Sequence, residues 1–137
     1  MLKIGKNISE WSAYSCQPKN KTELEKIILD RTLKYGVNCD LNDIDVSLID
    51  DMSYLFFESK FNGDISNWDV SNVKLMRGIF YKSYFNGDIS KWKTPKVTDM
   101  LVAFAESHFT GDISNWDVSN VRIMHMMFAY SEFNGDL

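Results

Sequence analysis

The stretch FTGDISNWDVSNVRIMHMMFAYSE, residues 109–132, restates FNGDISNWDVSNVKLMRGIFYKSY of residues 61–84, and this repetition decides how the chain folds. Between them lies FNGDISKWKTPKVTDMLVAFAESH, residues 85–108. Phe61, Phe85, Phe109 and Phe133 are thus 24 residues apart, as are Gly63, Gly87, Gly111 and Gly135. A divergent first copy, VNCDLNDIDVSLIDDMSYLFFESK, occupies residues 37–60, and FNGDL at 133–137 begins a fifth. A fixed period of this length marks a unit that cannot bury its own apolar side and must stack on its neighbours. The chain therefore divides into an extension with a capping helix, residues 1–36, and a repeat array, residues 37–137.

Within the copy at 61–84, Ile65, Trp68 and Val70 have the L-x-x-L-x-L spacing of a leucine-rich repeat, and Trp68 and Val70 would share one face of a short strand. Val73, Met76 and Phe80 follow at steps of three and four, which predicts a short helical turn. The expected fold class is α/β: a right-handed leucine-rich-repeat-like solenoid with short parallel strands, short helical turns and an N-terminal capping helix. Phe-Asn-Gly-Asp is turn chemistry, because Asn and Gly tolerate positive φ and Asp accepts from amides two residues on. A calcium ladder would pack glycine and aspartate more densely than one Asn-Gly-Asp per unit, so these side chains are expected to tie turns.

The unit also closely resembles the BspA-like leucine-rich repeat family, whose motif runs roughly F-N-x-D-I-S-x-W-D-V-S-N-V-x-x-M-x-x-M-F. Phe109, Gly111 to Ser114, Trp116 to Val121, Met124, Met127 and Phe128 carry the match, which spans residues 37 to 137. Lys93, Thr94 and Pro95 depart from it by replacing Asp-Val-Ser. The resemblance implies binding of host or bacterial proteins, by secreted surface members or by members inside cells or on mobile elements.

Composition narrows the function further. The 137 residues are 45% hydrophobic and 14% aromatic, enough for a continuous core, and the net charge of −4 disfavours a binder held by many phosphates. Cys16 and Cys39 are far apart, and with only His108 and His125 beside them they suggest two reduced thiols, with no metal or cofactor. The N-terminus has no signal-peptide core and no stretch is apolar enough for a membrane span, so a cytoplasmic location is expected, the host cytoplasm if the gene is phage-borne. Neither histidine has a catalytic partner nearby in sequence, and the Asp43/Asp45 and Asp50/Asp51 pairs lie on single segments, so no enzyme is expected.

Thr22-Glu-Leu-Glu25 reads as a capping box that opens a helix running to about Tyr35, with Gly36 as its stop and Leu24, Ile27, Ile28 and Leu33 as its apolar side. Trp11, Tyr14 and Pro18 suggest an ordered extension before it. No comparable cap follows the last copy, where only a turn and Leu137 would cover Met124 and Phe128. Association through that end, with another copy or a partner, is expected.

The expected function is protein binding by a repeat module. One concrete form is a phage or mobile-element inhibitor of a host defence protein such as a CRISPR nuclease; the alternative is a structural or adhesive surface repeat protein, or a fragment of one. Two surfaces are candidates. The first is a polar ladder on the strand face, formed by Asp45, Asp69, Lys91, Lys93 and Asp117. The second is the Tyr81, His125, Met126, Tyr130 region, where apolar residues exceed what the repeat requires.

Overall fold

A computed structural model of the protein describes residues 14–135. Among them is one α-helix, α1 (Lys21–Tyr35). Asn20 caps it by accepting from the Glu23 N–H at 2.9 Å, while Glu23 accepts from the Lys19 N–H at 2.7 Å. The cap thus sits two residues before the expected Thr22, because the Asn-x-x-Glu pair at 20–23 satisfies the first amides as well as Thr-x-x-Glu would. Gly36, at φ +96°, ends the helix and donates to the Thr32 carbonyl, as its sequence position suggested. Leu24 and Ile28 are buried against the first copy, and Ile27 is partly so. Leu33, expected on that face, is 77% exposed. Of the expected extension, Pro18 is buried and Tyr14 half-buried, and Trp11 lies outside the described residues.

The copies at 37–60, 61–84, 85–108 and 109–132 stack as four rungs, but not as the expected α/β leucine-rich-repeat solenoid. Successive rungs pair in parallel only at isolated bridges, including Asp51 with Leu75, Leu75 with Asp99 and Asp99 with Ile123. The described residues form no sheet and no helix within a rung. The cause lies in the stretch expected to be helical. Tyr54 and Glu58 take φ of 58° and 53°, Val102 and Glu106 49° and 51°, and Met126 and Tyr130 54° each. A left-handed residue every fourth position forbids a right-handed helix.

These flips aim alternate amides at the next rung. The N–H groups of Met52, Tyr54, Phe56 and Glu58 donate to the carbonyls of Leu75, Arg77, Ile79 and Tyr81, while Leu55, Phe57 and Ser59 donate three residues back within their own rung. Interleaved turns leave no run of extended residues for a strand. They satisfy the backbone nonetheless, which offsets the roughly 1–2 kcal/mol of each non-glycine left-handed residue.

Three ring columns fill the core. Trp68, Trp92 and Trp116 stack with centroids 6.4 and 5.9 Å apart. Phe61, Phe85, Phe109 and Phe133 follow at 6.2, 6.4 and 6.1 Å, and Phe56, Phe80, Phe104 and Phe128 at 5.5, 5.4 and 5.5 Å. Each buried indole N–H needs an acceptor and finds it one rung back: Trp68, Trp92 and Trp116 donate to the Leu41, Ile65 and Ile89 carbonyls at 2.9–3.0 Å. Behind the first rung the described residues place only α1 and a partial rung at residues 15 and 16, and Ile44 fills its tryptophan position.

The glycine column obeys the same logic. A Cβ on Gly63 would stand 1.9 Å from the Cys39 carbonyl oxygen and 2.7 Å from the Phe61 ring, and one on Gly87 or Gly111 would meet the ring of its own rung at 2.8 Å. In the first rung Val37 replaces the phenylalanine, and a side chain, Cys39, is tolerated in place of glycine.

Candidate functional site

The expected polar ladder is built from turns. Asp69 and Asp117 each accept from the N–H and hydroxyl of the serine two residues on, Ser71 and Ser119. The Ser119 hydroxyl and N–H hold the Asp117 carboxyl below the ordinary aspartate range. Asp45 caps the Ser47 N–H in the same way, but it is only 2% exposed and also accepts from Gln17 Nε2 at 3.0 Å, which withdraws it from the surface. In the third rung Pro95 has no N–H to offer, so a carboxylate before it would cap nothing. Lys93 stands there instead, and Thr94 turns inward to donate to the Asp117 carbonyl at 3.1 Å. Lys91, Lys93, Asn67 and Asp69 border one shallow, open depression of about 270 Å³.

The other candidate face follows from the left-handed turns. Because Tyr54, Gly78, Val102 and Met126 hold equivalent places, as do Phe57, Tyr81, Ala105 and Ala129, stacking aligns them along one side. Tyr54 meets Phe57 edge-on at 5.8 Å, and Phe57 stacks on Tyr81 at 5.3 Å. Tyr54 and Phe57 are both exposed at 41%. Glycine at residue 78 is required here, since it takes φ +58° and a Cβ would lie 2.3 Å from the Tyr54 ring. Farther along, Met126 and Tyr130 are exposed at 49% and 89%, and His125 is exposed beside them.

Thus Tyr81 sits with Phe57, two rungs from His125, Met126 and Tyr130, and the small Ala105 and Ala129 lie between the ring cluster and Tyr130 along the stack. The repeat columns placed Tyr54 and Phe57 on this side, but the expected contact was centred on Tyr81, His125, Met126 and Tyr130 instead; three aromatics, Tyr54, Phe56 and Phe57, in an aspartate-rich copy were the available signal.

Elsewhere, the Arg31 guanidinium grips Asp43 through both carboxylate oxygens at 2.8 and 2.9 Å, holding that carboxyl below its ordinary value and pinning α1 to the first rung. Arg77 reaches Asp99 of the next rung at 2.7 Å. His108 lies 3.5 Å from Glu132 and packs on Tyr84. Among the described residues no three His, Cys, Asp or Glu side chains cluster as metal ligands, and no helix is long and apolar enough to cross a membrane.

These features define a class: a stack of turn-rich 24-residue units with a ring-filled core, whose exposed groups lie on long faces. The chain belongs to the family described as "Mycoplasma protein of unknown function, DUF285", whose model matches residues 22–137. No curated protein and no solved structure matches the chain.

Proposed function

We propose that this protein works by binding another protein, and that the Tyr54–Phe57–Tyr81 face is its principal contact. The supporting observation is a row of three rings on the stack, with Phe57 packed on both Tyr54 and Tyr81, the first two exposed and Tyr81 half-buried. Aromatic anchors that are already ordered lose little entropy on association and supply large contact area. Met126 and Tyr130, both exposed, offer adaptable contacts farther along. The BspA-like character of the repeat sequence agrees with a binding role and is part of the proposal. A mimic of nucleic acid would need clusters of free carboxylates, whereas most aspartates here are spent on turns, so the ring face is preferred to an acidic strip that fills a nuclease channel.

The test is a chain carrying Phe57→Ser and Tyr81→Ser, compared with one carrying Asp69→Ser and Lys91→Ser. A stoichiometric partner isolated with the unmodified protein should be lost from the first and kept by the second. Loss only from the second would move the contact to the polar ladder, and failure of any protein to form a stoichiometric complex would remove the proposal.

A further inference from the structure

The Phe-Asn-Gly-Asp corner of the second and third rungs places a reactive pair on the surface. At Asn62–Gly63 and Asn86–Gly87 both asparagines are exposed, and the residue that follows has no Cβ to shield its nitrogen. Among the described residues neither the Gly63 nor the Gly87 N–H has an acceptor, so each nitrogen is available for attack. Such a thermolabile asparagine loses its amide by ring closure. The glycine nitrogen bonds to the asparagine Cγ, the Cγ–Nδ2 bond breaks, and ammonia leaves carrying the glycine N–H proton. Water then opens the succinimide at one carbonyl to give aspartate, or at the other to give isoaspartate.

The stack opposes this closure. Cγ must swing back along its own chain, but the side chains are held across the rungs. Asn62 Oδ1 accepts from the Asn86 N–H at 2.8 Å, and Asn86 Oδ1 accepts from the Thr110 N–H at 2.8 Å. Thr110 Oγ1 holds Asn86 further, donating to its Oδ1 at 3.3 Å and accepting from its Nδ2 at 3.1 Å. The main chain around Asn62 is pinned as well. The Asn62 and Asp64 N–H groups donate to the Val37 and Cys39 carbonyls at 2.7 and 3.1 Å.

We infer that Asn62 and Asn86 are deamidation sites gated by the contact between rungs: each reacts only while its carboxamide is released from the rung that follows. At Asn62 one product makes the opening permanent. Isoaspartate adds an atom to the main chain beside Gly63, where even a Cβ would stand 1.9 Å from the Cys39 carbonyl oxygen. A rung open long enough to form it cannot close again in register. Aspartate keeps an acceptor oxygen for the Asn86 N–H, and that rung can close. These residues are separate from Tyr54, Phe57 and Tyr81, so the inference stands or falls apart from the ring-face proposal.

The experiment incubates the whole protein beside two synthetic peptides, SKFNGDIS (residues 59–66) and SYFNGDIS (residues 83–90), in one buffer at about pH 8. Peptide mapping by mass then follows aspartate and isoaspartate at each site. Both asparagines should react at least about tenfold more slowly in the protein than in the peptides. Because the same bond must break, the slowing at Asn62 should equal the hydrogen-exchange protection of the Asn86 amide. The slowing at Asn86 should likewise equal the protection of the Thr110 amide. Thr110→Val, which keeps the N–H and removes the hydroxyl, should speed the reaction at Asn86 several-fold and leave Asn62 unchanged. Should that variant unfold, the match between slowing and protection in the unmodified protein decides. Equal rates in protein and peptides, faster reaction in the protein, slowing that does not follow protection, or a folded Thr110→Val protein reacting at the original rate would each overturn the inference.

Discussion

The two ends of the stack solve the same problem differently. At the N-terminal end α1 lies over the first rung, Leu24 is fully buried, and the Arg31 fork and Lys21 tie the helix to Asp43 and Asp51. Residues 15 and 16 add a partial rung: the Ser15 N–H donates to the Asp43 carbonyl, and the Asp45 N–H donates to that of Cys16. At the C-terminal end the corresponding amides and core side chains face outward. The first rung also changes composition to suit its cap, with Ile44 for tryptophan and Val37 for phenylalanine, while the last rung keeps the full interior pattern.

The comparison can be broken most sharply in the core. Trp92 lies between two indoles, so Trp92→Ala should cost about 3–5 kcal/mol and leave the protein largely unfolded by urea titration. Trp116→Ala, stacked on one side only, should cost visibly less; equal losses would mean that the last rung is as enclosed as the third. Removing the cap's anchor, Leu24→Ala, should cost about 2–5 kcal/mol, whereas Phe128→Ala at the open end should fall below that range.

Smaller effects sharpen it further. Hydrogen exchange should show the Met100, Val102, Phe104 and Glu106 amides well protected and those of Met124, Met126, Phe128 and Tyr130 exchanging quickly. Asn20→Ala should lower stability by about 1 kcal/mol in thermal denaturation. The mildest expected effect is that of acid. Serine hydroxyls and amides lower the folded values of Asp64, Asp88, Asp112 and Asp117 beneath the ordinary aspartate value, so these turns contribute stability above about pH 4. That contribution should fade as pH drops through the lowered values, and a melting temperature flat from pH 6 to about pH 2.5 would contradict it.

Much of this was legible in residue spacing. The 24-residue period placed the tryptophan and phenylalanine positions, and Gly36 marked the end of α1. The backbone path was not legible, because Val73, Met76 and Phe80 at steps of three and four fit a helix as well as a chain of tight turns. Nothing in the identities of Tyr54, Glu58, Val102 or Met126 announces a positive φ, since the flip is imposed by bonds to the next rung. Leu33 misled for a related reason: helical periodicity names an apolar face but not which residue of it the first rung is wide enough to cover. The aspartates of Phe-Asn-Gly-Asp were legible as turn formers, whereas Asp69 and Asp117, expected on a strand face, cap turns as well, and the burial of Asp45 depends on Gln17, which belongs to no repeat.

The indole bonds reach back 27 residues and the cross-rung amide bonds reach forward 23, and both spans are set by the same unit length. Every rung is therefore locked in phase with the ones beside it. Losing or gaining a single residue inside a unit would shift donors and rings out of step along the rest of the molecule, while adding or removing a whole unit would disturb only one seam. The size of such a protein can change in evolution only by integral steps, as a ladder grows.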